Sequence, residues 1–133
     1  MNRPGRAVTN RPRISLSEIV LDSSDAHALA SFYQRLLGGS FGKDEPDWVT
    51  LRPGDGGMTL AFATETEFVP PVWPSNPHEQ QMMLHLDFEV DDLDGAVDHA
   101  VAAGARLAPY QPQKLVRVMI DPAGHPFCLW ITA

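Results

Sequence analysis

Cysteine is almost missing from this sequence: Cys128 is the only one in 133 residues. One thiol can form neither an internal disulfide nor a cysteine-based zinc site, so a disulfide scaffold is excluded and a reducing cytoplasm is the expected location. Long apolar runs are missing too. No stretch approaches the ~18–20 apolar residues of a membrane span, so no membrane partner is expected. Residues 1–13 carry four arginines but no apolar run of the kind a secretory signal needs. Beyond them positive charge is scarce, with 6 basic against 17 acidic residues over 14–133. A body of that sign repels a phosphate backbone, which argues against a nucleic-acid partner.

What remains is ordinary globular material. Apolar residues make up 44% and charged residues 20%, enough to close a core without staples. We expect one domain over residues 14–133, preceded by a disordered basic leader over 1–13 that contains Pro4, Gly5 and Pro12.

The domain reads as a repeat. Residues 14–21 are apolar and β-branched, as in a strand. The run Asp22-Ser-Ser-Asp25 then offers a helix cap, and Ala26, Leu29, Ala30, Tyr33, Leu36 and Leu37 recur on one helical face up to Gly38. About 67 residues later the pattern returns. Residues 83–90 alternate as a strand, Asp91-Asp92 is the cap, and Leu93, Ala96, Val97, Ala100 and Val101 form the helical face before Gly104. Strands are expected after each helix, at 48–52 and 58–63 in the first half and at 115–120 and 127–132 in the second. Shorter ones are expected near Phe41 and Leu107. The halves, about 14–63 and 82–133, are joined by a linker over 64–81 whose Pro70, Pro71, Pro74 and Pro77 exclude a helix or a central strand.

The fold class expected is therefore α+β: two paired β-α-β-β-β modules forming a curved mixed sheet, a cup, with helices outside. Alternation in the second half puts Leu84, Leu86, Phe88 and Val90 on one face and Met83, His85, Asp87 and Glu89 on the other. A shift of 67 makes Glu18 equivalent to His85, Val20 to Asp87 and Ala61 to Cys128. The set expected to face the hollow is Leu16, Glu18 and Val20 with Met83, His85 and Asp87. Cys128 and Trp130 share one face of the last strand.

Three segments together resemble the vicinal oxygen chelate superfamily, which includes glyoxalase I, extradiol dioxygenases, fosfomycin-resistance proteins and bleomycin-binding proteins. They are Ile19-Val-Leu-Asp-Ser-Ser-Asp25 with Ala30-Ser-Phe-Tyr-Gln-Arg-Leu-Leu-Gly38, His85-Leu-Asp-Phe-Glu-Val-Asp-Asp-Leu-Asp94 with Ala103-Gly-Ala-Arg106, and Asp121-Pro-Ala-Gly-His-Pro-Phe-Cys-Leu129. The likeness is closest to the glyoxalase-like proteins and covers about residues 14–132. It implies metal ligands from equivalent strands of both halves, which fall on Glu18 and His85 and then on Ala61 and Cys128. Alanine cannot bind a cation, and a thiol stands where a carboxylate is expected, so the implied site is incomplete. Asp87, on the face of His85, can replace a missing ligand.

Each candidate also has a plainer role. His85 and Glu18 can simply share a hydrogen bond, although as a pair in a cleft they are the candidates for acid/base catalysis. Cys128 can be a small buried hydrophobe. Trp48, Met83 and Trp130 are core side chains or the wall of a ligand pocket, with Asp87 and Cys128 beside them. Trp73, in the linker, is a lid residue or packs on the surface. His125 is expected on the surface, and Gly54-Asp-Gly-Gly57 is a turn. The function expected is binding of a small, largely apolar or aromatic molecule in the cup, with no cofactor and no full family metal site. The alternative is a metal-dependent or acid/base enzyme of lyase, isomerase or dioxygenase type, with Glu18 and His85 holding a divalent metal or moving protons. A homodimer is compatible with either.

Overall fold

A computed structural model of the protein describes residues 10–133; residues 1–9, most of the basic leader, lie outside the described part. The first half runs β1 (Ile19–Ser23), α1 (Ala26–Leu37), β2 (Ser40–Glu45), β3 (Trp48–Arg52) and β4 (Leu60–Thr64). The second repeats it as β5 (Leu86–Glu89), α2 (Leu93–Ala103), β6 (Arg106–Leu107), β7 (Val116–Ile120) and β8 (Pro126–Trp130). The strand orders are β1-β4-β3-β2 and β5-β8-β7-β6, the same topology twice. The register repeats as well: Val20 lies opposite Ala61 in parallel β1 and β4, and Asp87 lies opposite Cys128 in parallel β5 and β8. These pairs are related by the 67-residue shift.

Local chemistry explains the helices. Asp25 accepts from the Ala28 amide and Asp92 from the Gly95 amide, each satisfying a donor of a first turn. Gly38 and Gly104 end them at φ of 69° and 127°, where a side chain would be strained.

Both first strands are shorter than the alternation suggests. β1 begins at Ile19, opposite the start of its partner β4 at Leu60; among the described residues no strand pairs with residues 14–18. β5 begins at Leu86, opposite Phe127; the neighbour before it is Pro126, which has no amide proton to give. Glu18 and His85 are thus each the residue just before a strand.

Each helix covers one face of its sheet, and the two helices touch. Phe32 and Tyr33 of α1, Phe62 of β4, Met119 of β7 and Phe127 of β8 are all fully buried in one core shared by both halves. Polar contacts fasten the halves further. Tyr33 donates to Asp121 at 2.7 Å, and Arg35 donates twice to the Ala103 carbonyl at 2.9 and 2.8 Å. His125, expected on the surface, is half-buried, and its Nε2 lies 2.7 Å from the Asp22 carbonyl oxygen. The two sheets are not hydrogen-bonded to each other, so the curved mixed sheet does not close into one continuous cup. The linker crosses the turn between β7 and β8, where Gly124 has φ 101° and an added Cβ would come 2.9 Å from Pro70.

Candidate functional site at the open face of the second half

The face of the second sheet turned away from α2 carries the chemistry. Leu86, Phe88 and Leu129 point into the core, which sends Asp87 and Cys128 outward on neighbouring strands. His85, two residues before Asp87, lies on the same side. Its Nε2 is 3.1 Å from Asp87 Oδ1, with side-chain exposures of 39% and 57%. One donor atom from each of His85, Asp87 and Cys128 falls within 4.8 Å of the others. Burial, then the Asp87 charge, then a hydrogen bond with Asp87 push the Cys128 thiol up to about 11. At neutral pH it is a thiol and a poor nucleophile.

An apolar cavity of about 150 Å³ opens beside this trio. Its walls include Trp73, Met82, Pro112, Val116 and Val118, with His85, Gln113 and Cys128 at the polar end. A more open depression of about 390 Å³ continues past His85, Asp87 and Cys128 to Leu115 and Trp130. The two share His85, Gln113, Val116 and Cys128. The linker forms part of the wall, where Trp73 stacks on Tyr110 at 5.7 Å between ring centres.

The structure brings together His85, Asp87, Cys128 and Trp130. Glu18 is half-buried, and no residue of the first half lines either cavity. The partner of His85 is Asp87. Met83 is 89% exposed and lines neither cavity; Met82 takes the wall position instead. Trp48 belongs to the other sheet, where it pairs with Ala63. Pro112 and Gln113 were not legible as site residues because they sit in an irregular segment with no periodicity. That segment is pinned by Gln111, which donates to the Ala108 and Val118 carbonyls and accepts from the Val118 amide.

An imidazole nitrogen, a carboxylate oxygen and a sulfur suit a borderline cation such as zinc, cobalt or nickel better than magnesium or calcium, which prefer oxygen alone. A shallower depression of about 740 Å³ lies along β5 and the start of α2, lined by Glu89, Asp91, Asp92 and His99 among others. It has no comparable apolar wall.

Comparison with known proteins gives the family and the fold. The profile of a family described as a glyoxalase-like domain matches residues 18–130. Among solved structures, a glyoxalase/bleomycin resistance protein/dioxygenase family enzyme from Burkholderia phytofirmans aligns at TM-score 0.65 and 22% identity, over 88% of this chain and 98% of that one. A glyoxalase/dioxygenase from Nostoc punctiforme aligns at TM-score 0.65 and 21% identity, over 100% and 97%. The fosfomycin resistance protein FosX from Mesorhizobium loti aligns at TM-score 0.64 and 15% identity, over 90% and 92%. At these identities the likeness is one of fold. A Corynebacterium diphtheriae protein named 6-carboxyhexanoate–CoA ligase is 34% identical over 127 residues, 84% of this chain but 51% of that protein. The chain spans about half the length of that curated relative.

Proposed function

The chain belongs to the glyoxalase-like domain family, and from that premise we propose that it binds a small, largely apolar or aromatic molecule on the open face of its second half. The observation that carries this reading is the apolar cavity ending in His85, Gln113 and Cys128. Apolar walls with a few convergent polar groups are the usual make-up of a ligand site. A cavity of about 150 Å³ has room for a group the size of one ring, and the adjoining depression can take a polar extension against His85 and Asp87.

A second reading, acid/base catalysis, is favoured by the His85–Asp87 contact. When Nε2 carries the proton toward Asp87, the Nδ1 lone pair is left free to accept a proton from a ligand. The ligase activity named for the Corynebacterium relative is outside the proposal. The segment Gly54–Gly57 joins β3 to β4 and has no helix after it, so it is not a phosphate loop.

The test is a thermal-shift screen of flat aromatic metabolites, with antibiotics included because some structural neighbours carry resistance names. A ligand at a hundred times its Kd adds about 2.7 kcal/mol to wild type. The same compound should stabilise His85→Ala much less. Equal stabilisation of both would reject this site.

We also propose a homodimer. β1 and β5 are edge strands, and Leu16, Val20, Met83 and Leu84 in and beside them are 70%, 44%, 89% and 62% exposed. A second copy can cover both edges by one twofold contact. Light scattering should then give twice 14.6 kDa; a monomer at high concentration would refute it.

A further inference from the structure

Building on the ligand site proposed above, on which this rests, we infer that the site prefers a ring carrying a cationic arm, an arylalkylammonium in kind, and that Asp87 sets the preference. Strand register lays out the face. Asp87 lies opposite Cys128, Cys128 opposite Val118, and Trp130 opposite Val116. The apolar cavity and the open depression share Val116 and Cys128. A ring seated against Trp73, Met82 and Val118 therefore leaves its arm to extend into the depression, toward Asp87 and Trp130.

Formal charge there has one sign. Among the described residues that line the two cavities, Asp87 carries the one carboxylate, and none is a lysine or an arginine. Lys114 and Arg117 belong to the neighbouring segment but line neither cavity, and Arg117 donates to the Lys114 and Val116 carbonyls. Gln113 is a neutral amide, and Cys128 stays a thiol at neutral pH. A neutral His85 imidazole can donate from Nε2 to Asp87 and leave the carboxylate charged. Because Asp87 is 57% exposed, an ammonium can reach it while keeping part of its water. The Trp130 indole borders the same depression, and an indole face attracts a cation but not an anion. An exposed charge pair changes affinity only a few-fold, so the preference is a ranking: about threefold for an ammonium over a neutral arm, and about tenfold over a carboxylate arm.

The test uses phenethylamine, phenethyl alcohol and phenylacetate, which share one ring and a two-carbon arm. Each is titrated at neutral pH and low salt into ¹⁵N-labelled wild type and Asp87→Asn, following the amides of His85, Cys128 and Trp130. The expected order in wild type is amine, alcohol, acid, narrowing when salt is added. Asp87→Asn keeps the shape and an acceptor for His85, and should bring the three affinities to within about twofold of one another. Acid or alcohol binding as tightly as the amine, with shifts on these same amides, overturns the charge preference and leaves the ligand site standing. An unchanged order in Asp87→Asn overturns the role of Asp87. No shift at these amides with any of the three at millimolar concentration overturns the ligand site itself, and the preference with it.

Discussion

Asp121→Ala is expected to cost about 2–4 kcal/mol of folding stability, although the residue lies outside the candidate site. Asp121 is 3% exposed and accepts from the Tyr33 hydroxyl and from the Ala123 and His125 amides. It therefore shapes the turn between β7 and β8 and ties that turn to α1 of the other half. Alanine would leave the Tyr33 hydroxyl, itself 1% exposed, without an acceptor. For a chain of this size the midpoint should fall by roughly 10 °C.

The pH dependence of this anchor has a definite sign. Burial holds the Asp121 carboxyl above its ordinary range, despite the opposing pull of His125 and three hydrogen bonds. An acid whose folded pKa is raised stabilises the fold fully below its unfolded value, and that contribution is lost as pH rises through the folded value. Asp121→Asn cannot ionise and keeps an acceptor for the turn. The stability of wild type relative to Asp121→Asn should therefore fall as pH rises from about 4. Urea denaturation of the three proteins across pH measures both effects. An alanine cost below about 0.5 kcal/mol would remove Asp121 as the link between the halves.

Val116→Trp should reduce affinity for an apolar ligand by about 100-fold, or roughly 2.8 kcal/mol, while leaving the fold intact. Val116 lines both the cavity and the depression beside it. It is half-buried near the end of the sheet, so an indole can turn outward over the cavity without prying the strands apart. A screening hit that binds Val116→Trp as tightly as wild type lies elsewhere on the molecule.

Much of the fold was legible because both helices and most strands carry their own period and their own punctuation. Asp25 and Gly38 bound α1, Asp92 and Gly104 bound α2, and β3 spans the expected 48–52. The outward face of β5 could also be read, since Leu86 and Phe88 must go inward and so expose Asp87. How the halves sit together could not be read. Whether two sheets hydrogen-bond to each other depends on the shared core around Phe32, Tyr33 and Phe127, and no local pattern encodes it. For that reason Asp87, rather than Glu18, is the neighbour of His85. Met82 rather than Met83 reaching the cavity is a matter of one residue in an irregular linker, where neither period applies.

The most direct test is to titrate phenol, one ring with one hydroxyl, into ¹⁵N-labelled protein and follow the backbone amide shifts. Shifts centred on Trp73, His85, Val118 and Cys128 are the expected result. Shifts centred on Glu89, Asp92 and His99, or none at millimolar phenol, would contradict a ligand site on the open face of the second half.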